Sequence, residues 1–104
     1  MTKSLSAKEF FNYLLSFCEV FIWEGGDSDN GIYLKMKAQE LQLIKRKNDY
    51  AIIGEIVEDD DLEGGFVLTG NTFHFDIRED GSRTEISVQS DLAARPMKFG
   101  LVKV

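Results

Sequence analysis

The chain has 104 residues, 43% hydrophobic and 29% charged, with 18 acids against 12 bases and a net charge of −6. This length fits one domain over residues 1–104 with one core, burying roughly 65% of the unfolded surface. The acidic balance argues against nonspecific binding to nucleic acid or to an anionic membrane surface, both of which need positive contacts with phosphates, and favours a basic partner.

A single cysteine, Cys18, leaves no internal disulfide and fits a reducing, cytoplasmic setting. No apolar run approaches the roughly 20 residues that span a bilayer. Pro96 is the one proline, and there is no low-complexity stretch, internal repeat or domain boundary.

In chain order, Ser6-Ala-Lys-Glu9 has the form of a capping box. Phe10, Phe11, Leu14, Leu15, Phe17 and Cys18 follow at mixed steps of one, three and four, which predicts a helix from about Ala7 to Phe17 with a broad apolar face. On that stripe Cys18 reads as a small core hydrophobe. Val20 to Trp23 reads as a short strand, and Glu24 to Gly31 as a loop by turn chemistry.

Ile32, Leu34 and Met36 alternate with Tyr33, Lys35 and Lys37, as in a strand with one wet face. Ala38–Lys47 fits either helix or strand; Asn48-Asp49 before Tyr50-Ala-Ile-Ile53 favours a hairpin. Phe66–Thr69, Gly70-Asn71 and Thr72–Arg78 read as strand, turn, strand, with Phe73, Phe75 and Ile77 on one face. After Asp80-Gly81, Thr84–Gln89 returns with Ile86 and Val88 inward. Asp91 to Ala94 suggests one helical turn, and Phe99–Val104 a last edge strand. The expectation is an α+β fold: an N-terminal helix packed on a mostly antiparallel, curved β-sheet.

The chemistry concentrates in Gly54–Gly65. Glu55, Glu58, Asp59, Asp60, Asp61 and Glu63 sit there within nine positions, and no Lys or Arg occurs between Asn48 and Ile77. A solvated acidic loop is the plain alternative. The crowding costs stability, however, and a field of this sign speeds capture of a cationic partner. Glu24, Asp27 and Asp29 form a second acidic loop free of bases. Asp27-Ser-Asp-Asn-Gly31 approximates a calcium loop, but the twelfth position is Ala38 where a bidentate Glu is required. Trp23 and Tyr50, near strand ends, are the interface anchors to weigh against core roles.

His74 and Asp76 share a strand face and form a conceivable base pair, yet no set of nucleophile, base and oxyanion donors accompanies them. One His and one Cys do not make a zinc site. No catalytic residue, metal or cofactor is expected.

This profile of one small domain, the Glu55–Glu63 and Glu24–Asp29 loops, the lone Cys18 and no catalytic motif resembles bacterial immunity proteins of the contact-dependent growth inhibition type. The resemblance implies a non-enzymatic cytoplasmic inhibitor. Its partner would be a cognate toxin domain, a basic nuclease acting on RNA or DNA, held one to one with its active site covered. Glu58, Asp59, Asp60, Asp61, Glu63, Asp27 and Asp29 would supply the field, with Trp23 or Tyr50 as anchor. The alternative is a non-enzymatic adaptor, an effector chaperone or a nucleic-acid mimic. A mimic would bind several unrelated nucleic-acid proteins, whereas an immunity protein would bind one.

Overall fold

The computed structural model of the chain describes residues 2–23, 33–56, 64–81, 83–93 and 96–103. Among the described residues nine strands and one α-helix follow in the order β1 (Thr2–Ser6), α1 (Ala7–Leu15), β2 (Glu19–Trp23), β3 (Tyr33–Lys37), β4 (Gln42–Lys45), β5 (Tyr50–Ile56), β6 (Gly64–Gly70), β7 (Thr72–Asp80), β8 (Arg83–Ser90) and β9 (Met97–Val102). They form a six-stranded sheet, β1-β7-β8-β9-β2-β3, and a three-stranded sheet, β4-β5-β6. Every pairing in both is antiparallel. The fold is α+β, with the helix packed on antiparallel sheet.

α1 begins where its capping box places it. Ser6 Oγ accepts from the Glu9 amide at 3.3 Å, and Glu9 Oε1 accepts from the Ser6 amide at 3.2 Å. Ala7, Phe10 and Leu14 form the buried stripe. The Phe10 ring lies 5.0 Å from Phe73 and 5.1 Å from Phe75, joining helix to β7. Ser16 ends the helix by donating its hydroxyl to the Tyr13 carbonyl at 2.6 Å. Helical periodicity therefore stops before Cys18, which is exposed, not in the core. Its amide donates to the Val102 carbonyl and its own carbonyl accepts from the Ala38 amide, so residue 18 already follows the sheet.

One core fills the space between the two sheets and the helix. Val20, Phe73, Phe75, Ile86, Val88, Phe99 and Leu101 come from the larger sheet; Ile52, Phe66 and Leu68 come from the smaller. Alternation is kept: Phe73 and Phe75 are buried, while His74 and Asp76 are exposed. The ambiguous Ala38–Lys47 segment divides. Residues 38–40 form a single 3₁₀ turn that buries Ala38, and Gln42–Lys45 is a strand in hairpin with β5. Arg46 closes that hairpin, with Nε donating to Asp49 Oδ1 at 2.5 Å and Nη2 to Oδ2.

Three further features depart from the sequence reading. β1 was not anticipated; with Leu5 as its one apolar residue it carries no strand signal of its own, and it forms by pairing with the edge of β7. β9 runs in the interior of the sheet, between β8 and β2, where an edge strand was expected; the buried pair Phe99 and Leu101 needs cover on both flanks. Asp91 to Ala93 forms a turn without a helix, with the Ala93 amide donating to the Ser90 carbonyl at 3.2 Å.

Gly70-Asn71 is the turn that the sequence suggests, and it is the corner where the chain leaves one sheet for the other. Gly70 has φ of 154°, and a Cβ there would sit 2.6 Å from Asp91 Oδ1. Asp91 Oδ1 accepts from the Asn71 amide at 2.8 Å and the Thr72 amide at 3.2 Å, and the Asn71 carbonyl receives the Ala7 amide. One carboxylate thus ties the corner, and that corner holds the start of α1.

Those backbone donors hold the Asp91 carboxyl below its ordinary range. The Arg46 hydrogen bonds do the same for Asp49, and the Ser6 hydrogen bonds for Glu9. Folded-state values below the unfolded ones give stability that is complete above the unfolded carboxylate range, near pH 4, and is lost as pH falls through the folded values. Urea unfolding from pH 7 down to pH 3 is expected to show stability falling below about pH 5. Asp91→Asn should flatten part of that fall, and an unchanged pH slope would show that the corner carboxylate carries none of it.

Candidate interaction surface

The run Glu58, Asp59, Asp60, Asp61 and Glu63 lies outside the described residues, as do Asp27 and Asp29. The structure fixes where their chains leave and return. Ile56 pairs with Gly64, so the first run joins the ends of a β5–β6 hairpin. Trp23 pairs with Tyr33, so the second joins the ends of a β2–β3 hairpin.

These two hairpins meet through Gly54. A Cβ on Gly54 would lie 2.4 Å from Met36 Sδ and 2.4 Å from Phe66 Cε1. A bare backbone at this position lets the Met36 side chain of β3 lie against β5, over Phe66 of β6. From this contact, Tyr33 is three residues back along β3 and Ile56 two residues on along β5. At about 3.3 Å per residue the two exit points lie within about 25 Å of each other. The connection after Ile56, with its five carboxylates, and the Glu24–Asp29 connection therefore start from neighbouring roots, a separation that a patch of roughly 800 Å² spans. Gly54→Ala should cost about 1–3 kcal/mol, because Met36 and Phe66 must both yield. Thermal unfolding should drop by roughly 4–8 °C per kcal/mol, and an unshifted midpoint would show that the β3–β5 approach is loose.

Tyr50 opens β5 between Lys45 and Gly70, is half-buried and packs against the core. Its side chain is thus mainly a packing element. Trp23 ends β2, where its backbone pairs with Tyr33 of β3.

His74 and Asp76 share the exposed face of β7, as their spacing requires. Each is bound to β1: Ser4 Oγ and His74 Nδ1 are 2.6 Å apart, and the Thr2 hydroxyl donates to Asp76. The two groups thus bind separate β1 hydroxyls, which pins the edge strand to the sheet. Farther along this face, Arg78 pairs across from Glu85, and Arg83 Nη2 meets Glu85 Oε1 at 2.9 Å. A shallow groove of about 160 Å³ runs there past Asp76, Arg78, Ser87 and Lys98. Charges of both signs alternate on it, so it presents no single-sign field.

A wider cleft, about 410 Å³, opens between α1 and the ends of β7–β9, lined by Tyr13, Phe17, Glu79 and Thr84 with Lys3 and Lys103. Lys103 Nζ sits 5.1 Å from the Phe17 ring centroid. Burial, and then the nearby Glu79 charge, push the Tyr13 hydroxyl above its usual range, keeping it a donor. The sequence carries no signal for this cleft, since Lys3 and Lys103 are a hundred positions apart and meet only through β1 and β9.

Among the described residues no three of His, Cys, Asp or Glu are grouped to hold a metal ion, and no helix is long and apolar enough to cross a membrane. No family model, no curated protein and no solved structure matches this chain.

Proposed function

We propose that this chain is an immunity-type inhibitor, acting in the cytoplasm without catalysis of its own. In this reading it captures one cognate toxin domain, a basic nuclease, one to one. The observation that supports it is the shared root of the two base-free acidic connections at the Met36–Gly54 contact. Eight acids of those connections, Glu24, Asp27, Asp29, Glu58, Asp59, Asp60, Asp61 and Glu63, can then act on one partner face. A field of that sign competes where a nuclease holds phosphates. It supplies fast encounter, and desolvated side chains beside it supply slow release.

The experiment is co-expression with the C-terminal domain of the neighbouring upstream reading frame, scored by growth and by co-purification. Survival that depends on this chain, with a stoichiometric complex, is the expected result. A harmless neighbour that does not co-purify would overturn the reading.

A further inference from the structure

The inward face of the larger sheet turns polar at one end. Directly opposed residues of neighbouring strands share a face. Lys3 lies opposite buried Phe75, and Thr84 lies opposite both Glu79 and buried Leu101. Lys3, Glu79 and Thr84 are therefore on the core side. Lys103, two residues past Leu101, continues the same alternation. α1 ends at Leu15, and this end of the face opens as the cleft of about 410 Å³.

On the outer face of the same strands the polar side chains answer one another: Thr2 with Asp76, Ser4 with His74, Arg83 with Glu85. The cleft differs. Among the described residues, the Lys3 ammonium, the Glu79 carboxylate and the hydroxyls of Tyr13 and Thr84 have no hydrogen bond or ion pair. Lys103 rests on the Phe17 ring and not on an acid. One cation thus stands on β1 and another beyond β9, with an acid on β7 and a hydroxyl on β8 between them. Polar groups that converge without pairing, beside apolar Ile77 and Phe17, are the makeup of a small-molecule site. The volume falls at the lower end of the range for one, roughly 300–1,000 Å³.

We propose that this cleft binds a free dicarboxylic amino acid, with a carboxylate at each lysine and the ammonium at Glu79. The order of charge across the sheet is then matched group by group. A plain dianion leaves Glu79 facing like charge, and an amino acid with an apolar side chain leaves one lysine unanswered. The methylenes lie against Ile77 and Phe17. The Tyr13 hydroxyl, kept protonated by burial and by Glu79, donates to a carboxylate. Two lysines less one glutamate give the lining a single net positive charge, which the ligand's single net negative charge offsets. The inference does not depend on the inhibitor reading.

Calorimetric titration of the intact chain with L-glutamate at neutral pH and low salt is expected to give one saturable site with a dissociation constant of about 1 mM or tighter. Glutarate, which lacks the ammonium, and L-norvaline, which lacks the second carboxylate, should each bind at least about tenfold more weakly. Lys3→Met and Lys103→Met should each weaken L-glutamate at least about fivefold while the melting temperature holds, since both side chains are exposed. Glu79→Gln should weaken L-glutamate but not glutarate. Lys98→Met, on the outer face, should change neither. A chain that shows no saturable binding of L-glutamate overturns the proposal. So does binding that survives both lysine substitutions, is lost with Lys98→Met, or is matched by glutarate or L-norvaline.

Discussion

Phe10→Ala is expected to cost about 3–5 kcal/mol, the range for emptying a large aromatic site. Phe10 is fully buried, and its ring meets both Phe73 and Phe75 of β7. Those rings are themselves buried and have no freedom to collapse into the void, which favours the upper part of the range. Against the usual roughly 5–15 kcal/mol for a domain, this removes about a fifth or more of the stability. Chemical denaturation of Phe10→Ala beside Phe11→Ala gives the control. Phe11 is half-buried on the same helix and should cost less than half as much. Equal losses would mean that the helix contributes through its general apolarity, not through the Phe10 contact.

If the proposed inhibitor reading holds, replacing Asp59, Asp60 and Asp61 together by Asn is expected to slow association with the toxin domain by about ten- to a hundredfold at low salt. The salt dependence of the rate should flatten with it, since three charges no longer act across the Debye length. Dissociation should change much less, because rim charges act on encounter more than on residence. Stopped-flow association at two ionic strengths separates the outcomes. An unchanged association rate would remove this run from the interface, even if the complex forms.

Local chemistry was legible wherever one segment decides its own fate. Ser6 and Glu9 close a box four residues long, and the alternation of Phe73 to Arg78 and of Ile86 to Val88 needs only one buried face. The acidic run was legible as charge alone, and so was its place between two strands. Cys18 went wrong because periodicity does not announce its own end: Ser16 stops the helix with a side-chain bond to the Tyr13 carbonyl. Tyr50 was legible as an aromatic near a strand end, but not as a ring packed on the core.

By itself, then, the sequence determined the helix start, the strand faces and the net field, because these follow from neighbours within a few residues. Only the tertiary structure decided which strands are edges, that β1 closes on β7 and that β9 lies inside the sheet. It alone turned Gly70-Asn71 into a corner, and it alone set the two acidic connections on a common root at Gly54. Hydrophobic period encodes which face is buried. The choice of partner strand rests on contacts between residues far apart in the chain, such as Met36 with Gly54 or Asn71 with Asp91, and no local pattern records them.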